Sequence, residues 1–120
     1  MTKTLEKLFH ETLKDIYFAE KKILKGLTKM EKAADSEELK DGFRTHYEET
    51  EGQIERLEQV FELIGKEPKG KTCEAIKGLL DEGEEIMEDF KGEPALDAGL
   101  IACAQAIEHY EIARYGTLVR

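Results

Sequence analysis

Tryptophan is missing from this chain, and only two cysteines and two prolines occur in its 120 residues. Cys73 and Cys103 form no CxxC pair, which excludes a dense disulfide framework and a thiolate metal site and makes a reducing cytoplasm the expected setting. Uncharged apolar runs are short. None approaches the roughly 20 residues that span a bilayer, and the opening MTKTLEKLFHETLKD mixes charge into every turn, unlike a secretory signal. Positive charge is also scarce: 18 Lys and Arg stand against 27 Asp and Glu, a net charge of −9 that repels phosphate backbones and anionic lipid. Neither nucleic acid nor a membrane surface is an expected partner.

What the chain does have is 40% hydrophobic and 38% charged residues, too apolar for disorder and suited to amphipathic helices. The length allows one domain over residues 1–120. Pro68 and Pro94 mark the loops. From about Thr4 to Ala34, Leu5, Leu8, Phe9, Thr12, Ile16, Ala19, Ile23, Leu27 and Met30 recur at helical steps, predicting a first helix about 45 Å long. Asp35 or Ser36 can cap a second helix, with Glu37 and Glu38 at its positive end. Its inward stripe reads Phe43, Tyr47, Thr50, Ile54, Leu57, Phe61 and Ile64, and Gly65 stops it. Two long helices joined by so short a turn predict an antiparallel hairpin.

A shorter helix follows from Thr72, a candidate cap, to Phe90. Gly78 and Gly83 inside it each cost up to about 1 kcal/mol of helix propensity and call for a packing reason. A last helix from Ala95 to Val119 carries Ala98, Ile101, Gln105, Glu108, Ile112, Tyr115 and Val119 at threes and fours, and ends without a capping signal.

Certain acids fall on these stripes. Glu20 sits between Ile16 and Ile23, inside the apolar face of the first helix. A hairpin turning at residues 35–36 sets Glu20 opposite Thr50, with Glu49 one position away and His46 and Gln53 around it. In the last helix, Gln105 and Glu108 share the stripe, Glu111 follows Glu108 by three residues, and His109 is rotated away. Carboxylates brought together in an apolar interior are costly unless a cation compensates them. Each of these acids could instead be salt-bridged, partly exposed or held neutral by a hydrogen bond. Glu84, Glu85, Glu88 and Asp89 read as a solvated acidic face, and His10 as a surface or interface residue.

The segments DIYFAEKKILKGLTKM, THYEETEGQIERLEQVFELIG, TCEAIKGLLDEG and AIEHYEIARYGTL resemble the YciF-type branch of the ferritin-like superfamily, bacterial proteins associated with stress responses. The resemblance covers essentially the whole chain. It implies an all-α, ferritin-like helical bundle: two long antiparallel helices, a short crossover helix, and a third long helix. It also implies that Glu20 and Glu49 match the metal-ligating glutamates of the first two helices, with Glu108 and Glu111 on the third, around dinuclear iron or manganese. His46, Gln53, Gln105 and His109 are subsidiary candidates for ligation or for support of the ligands. Two departures stand out. Gly52 occupies the position where the family pattern has a histidine, and the fourth bundle helix is absent, so that the domain reads as C-terminally incomplete or completed by a partner in a homodimer.

Two functions follow as expectations. One is a ferritin-like stress-associated protein with a carboxylate-rich iron or manganese site, turning over Fe²⁺ with O₂ or peroxide if the site is redox-active. The other is a non-catalytic helical structural or interaction protein whose central acids bond to Tyr17, Tyr47, Tyr110 or His46 and align the helices.

Overall fold

A computed structural model describes residues 4–119, which form four α-helices and, among the described residues, no strand. They are α1 (Leu5–Ala33), α2 (Glu37–Leu63), α3 (Glu74–Asp89) and α4 (Leu96–Val119). The all-α architecture of two long antiparallel helices, a short third and a long fourth is as the periodicity predicts.

Local chemistry sets each boundary. Thr4 caps α1, its hydroxyl accepting the Lys7 N–H at 3.2 Å. Ser36 caps α2 in the same way, with Leu39 N–H at 3.4 Å. Asp97, at the start of α4, reaches over this turn, and its two carboxylate oxygens accept the N–H groups of Asp35 (2.8 Å) and Ser36 (2.9 Å). One side chain thus fastens the α1–α2 hairpin to α4. At the other end of α2, Gly65 adopts φ 71°, Lys66 N–H returns to Phe61 O and Gly65 N–H to Glu62 O. This Schellman ending requires the left-handed backbone that glycine accepts without strain.

The loop from Lys66 onward then crosses α1: Lys71 N–H bonds to Lys14 O at 3.2 Å, and a Cβ on Gly70 would lie 3.0 Å from that of Phe18. The cap of α3 is Cys73, one residue beyond the expected Thr72. Its thiol is buried, accepts the Ile76 N–H at 3.5 Å and lies 3.0 Å from the Tyr110 hydroxyl, while Thr72 is exposed.

The core runs along α1. Leu13, Ile16, Tyr17, Ala19, Ile23, Leu27 and Met30 are buried there against Phe43, Ile54, Leu57 and Phe61 of α2, Ile76 of α3, and Leu96, Leu100, Cys103 and Ile107 of α4. α1 therefore touches all three other helices, and α3 packs on α4. Close approach explains Gly83: a Cβ there would lie 2.7 Å from Cys103 Sγ. Gly78 has no neighbour within 4 Å and no such reason.

The inward face of α4 departs from the expected one. Leu96, Leu100, Cys103, Ile107 and Glu111 are buried, whereas Ile101, Gln105, Glu108, Ile112 and Val119 are exposed. The true stripe lies one residue, about 100°, around the helix. Apolar residues surround most of α4, so both stripes exist in the sequence, and packing against α1 and α3 selects between them.

Candidate functional site

α2 and α4 both lean on α1 and leave between them an open groove of about 770 Å³, lined by Gly42, Thr45, His46, Glu49, Gln53, Glu108, Glu111, Ile112 and Tyr115. At its floor, Glu20 is fully buried and Glu111 is 7% exposed. Glu20 Oε2 accepts the Tyr115 hydroxyl at 3.0 Å. Glu111 Oε1 lies 3.3 Å from His46 Nε2. The remaining oxygens, Glu20 Oε1 and Glu111 Oε2, are buried and receive no hydrogen bond from any fixed donor, as does Gln53 Oε1.

Two adjacent buried carboxylates do not both ionise. Burial and the hydrogen bond with Glu111 push Glu20 up to about 9. For Glu111 burial acts in the same upward direction but is outweighed by hydrogen bonds from His46 and Glu20, so its pKa falls. One proton therefore serves the pair. Glu20 holds it and donates it to Glu111, which stays ionised and faces His46. That partner raises the His46 pKa against the opposing effect of burial. Tyr115 is also shifted upward, by burial and then by the Glu20 charge, so it remains a neutral donor.

The predicted residues divide accordingly. Glu20 and Glu111 meet, and His46 joins them. Glu108 is not on the buried stripe: its side chain is 57% exposed at the groove rim, with one oxygen 3.9 Å from His46 Nδ1. Glu49 is exposed and lines the groove instead of entering the core beside Glu20. Gln53 lines the groove with its buried oxygen. Gln105 and His109 are exposed and outside its lining. Sequence reasoning missed Tyr115 as a partner of Glu20, although its place one helical turn after Glu111 was a usable signal. Of the tyrosines expected to hold the central acids, Tyr17 donates to Glu58 at 2.8 Å and Tyr110 to Asp15 at 2.9 Å.

As the side chains lie, no three His, Cys, Asp or Glu residues among the described residues are gathered around one point. The donor set nevertheless fits a hard divalent cation: two buried carboxylates with bare oxygens, an imidazole against one of them, and two more carboxylates on the rim. Among the described residues no helix is long and apolar enough to cross a membrane.

Comparison with known proteins agrees with this architecture. The chain is 45% identical over 117 residues to YciF of Escherichia coli, covering 97% of this chain and 70% of that protein. The crystal structure of that stress protein superposes with a TM-score of 0.91 at 45% identity, covering 98% of this chain and 74% of the other. YcfI from Rhodopseudomonas palustris superposes with a TM-score of 0.94 at 49% identity, over 98% of this chain and 74% of that one. The family described as "domain of unknown function (DUF892)" matches residues 4–120, and the chain belongs to it.

Proposed function

We propose that this protein is a ferritin-like member of the YciF stress proteins that binds iron or manganese in the groove between α2 and α4. The observation that carries the reading is the Glu20–Glu111 pair, of which Glu20 Oε1 and Glu111 Oε2 are buried and receive no hydrogen bond from a fixed donor. An interior acid pair, even one bonded to Tyr115 and His46, is a poor structural device, because an apolar pair of similar volume is often neutral or better for stability. As a cation site it has a use.

Glu20 and Glu111 would supply oxygens from the groove floor, His46 a ring nitrogen, and Glu49 and Glu108 carboxylates from the rim. A second ion of a dinuclear site would draw on those rim carboxylates. When bound, iron or manganese supplies electron exchange with an oxidant such as O₂ or peroxide. The Tyr115 hydroxyl fixes one Glu20 oxygen and leaves the other free to ligate. Glu20 must first give up its proton, which the neighbouring His46–Glu111 contact can pass toward the open groove.

Anaerobic titration with Fe²⁺ and with Mn²⁺, followed by elemental analysis of the desalted protein, tests this. Wild type should take up metal stoichiometrically, and Glu20→Gln and Glu111→Gln should each weaken uptake at least about tenfold. Wild-type protein no richer in metal than its buffer, or uptake untouched in both variants, would overturn the reading. The alternative, a helical interaction protein, is favoured by a different observation: Tyr115–Glu20–Glu111–His46 already ties α4, α1 and α2 together without any ion.

A further inference from the structure

A second polar cluster lies where α1, α4 and the start of α3 meet. Tyr110 is half-buried there, and its hydroxyl donates its one hydrogen to Asp15 Oδ2 at 2.9 Å. The Cys73 sulfur lies 3.0 Å from the same hydroxyl oxygen. Because that hydrogen is already engaged with Asp15, the thiol S–H is the donor in the second contact, and a sulfur lone pair is left to cap the Ile76 N–H of α3. The three groups therefore form a chain with one direction, from S–H to O–H to carboxylate. Arg114 Nε, 3.4 Å from the same Asp15 oxygen, orients that carboxylate. Cys73 is buried, so a reagent in solution reaches its sulfur only through Tyr110. Tyr17 and Tyr115 also donate to carboxyl groups, those of Glu58 and Glu20, but among the described residues neither hydroxyl bonds to a sulfur. None of Asp15, Cys73 and Tyr110 lines the α2–α4 groove.

We propose that Tyr110 and Cys73 form a built-in sink for one-electron oxidants, with Asp15 as the proton acceptor. A phenol gives up an electron readily only when its proton leaves as well, and a carboxylate within hydrogen-bond reach is placed to take it. In the first step the Tyr110 O–H bond breaks. Its electron passes to the oxidant, which is reduced by one electron, and its proton passes to Asp15 Oδ2, leaving a neutral phenoxyl radical. In the second step the Cys73 S–H bond breaks and its hydrogen atom re-forms the Tyr110 O–H bond, so the oxidation comes to rest as a thiyl radical on a buried sulfur. Asp15, whose side chain is 21% exposed, returns its proton to water. The pair is independent of the cation site, because its oxidant is any one-electron acceptor that meets the half-exposed tyrosine.

Flash photolysis of chelator-treated protein tests it, with ruthenium tris-bipyridine as the oxidant and a cobalt(III) quencher, so that the outcome does not depend on metal uptake. Electron paramagnetic resonance of rapidly frozen samples reads the phenoxyl signal. Cys73→Ser keeps a capping side chain and a hydrogen-bond donor but offers no hydrogen atom that a phenoxyl radical abstracts, so its signal should outlive that of wild type. Adding Tyr110→Phe to this variant should abolish the long-lived signal, whereas adding Tyr47→Phe should leave it. Adding Asp15→Asn, which replaces the carboxylate with a weak base, should slow its formation at least about tenfold. Circular dichroism of each variant confirms that the helices persist. A phenoxyl signal as short-lived in Cys73→Ser as in wild type, a long-lived signal that survives Tyr110→Phe, or formation unchanged by Asp15→Asn would each overturn the proposal.

Discussion

Glu20 and Glu111 sit together beneath the α2–α4 groove in opposite protonation states, the first a neutral donor and the second an ionised acceptor. The unfolded chain cannot maintain that difference, so the pair couples folding to pH. Glu20 rises from 4.5 to about 9 on folding, and between those values the folded chain holds a proton that the unfolded chain has lost. Its stabilising contribution is complete below pH 4.5 and is lost as pH rises toward about 9. His46, also raised, acts in the same direction from its ordinary 6.5 upward. Glu111 is shifted the other way, and its contribution is lost only in acid, as pH falls through its lowered pKa. Thermal melts should therefore show the midpoint falling between about pH 5 and pH 9. In Glu20→Gln, which keeps the shape and stays neutral, that fall should flatten; an identical pH profile would contradict the shared proton.

A cation that ligates Glu20 must displace the same proton. Calorimetric titration of Mn²⁺ at pH 7 in buffers of different ionisation enthalpy should register release of about one proton per binding event. Glu20→Gln has no carboxyl proton to release, and whatever binding it retains should lack that component.

The middle turns of the α1 and α2 stripes could be read correctly because their apolar residues are confined to one side; at the helix ends Leu5, Leu8 and Ile64, assigned to the same stripes, are exposed. Glu20 is buried among Ile16, Ile23 and Leu27, Phe43 and Phe61 point inward, and Ser36 and Gly65 end the elements where their chemistry says they should. α4 could not be read this way. Leu100 and Ile101, and Glu111 and Ile112, are neighbouring candidates for the same inward position, and periodicity alone does not choose between them. That one-residue ambiguity promoted Glu108 and demoted Glu111. The position of Glu49 depended on hairpin register, a tertiary quantity. The observed pairings of Tyr17 with Glu58 and Glu31 with Arg44 slide α2 relative to the register assumed from the turn.

Two glycines in α3 make opposite predictions. Gly83→Ala drives a methyl group to within 2.7 Å of the Cys103 sulfur and should cost about 1–3 kcal/mol. Gly78→Ala meets nothing within 4 Å and should stabilise by about 0.5–1 kcal/mol through helix propensity alone. Urea denaturation distinguishes the pair, and Cys103→Ala should recover part of the Gly83→Ala loss if the clash is its cause.

Asp97 offers a test of the turn. Removing its carboxylate leaves the Asp35 and Ser36 N–H groups to water and frees the hairpin end from α4. Asp97→Ala should lower stability by about 1–2 kcal/mol in denaturant titrations. Asp97→Asn, which keeps one acceptor oxygen, should lose less.

Because α1 is the helix that all the others grip, the molecule does not come apart evenly. Amide hydrogens in the middle of α1, around Ile16 to Leu27, lie in the helix that packs on all three others and exchange with solvent only when the whole structure opens. α2 is backed by α1 on one side and by an open groove on the other, so its amides exchange through a smaller opening that leaves α1, α3 and α4 assembled. That partial opening is also the motion that uncovers Glu20 and Glu111, and it sets the rate at which anything outside can reach them.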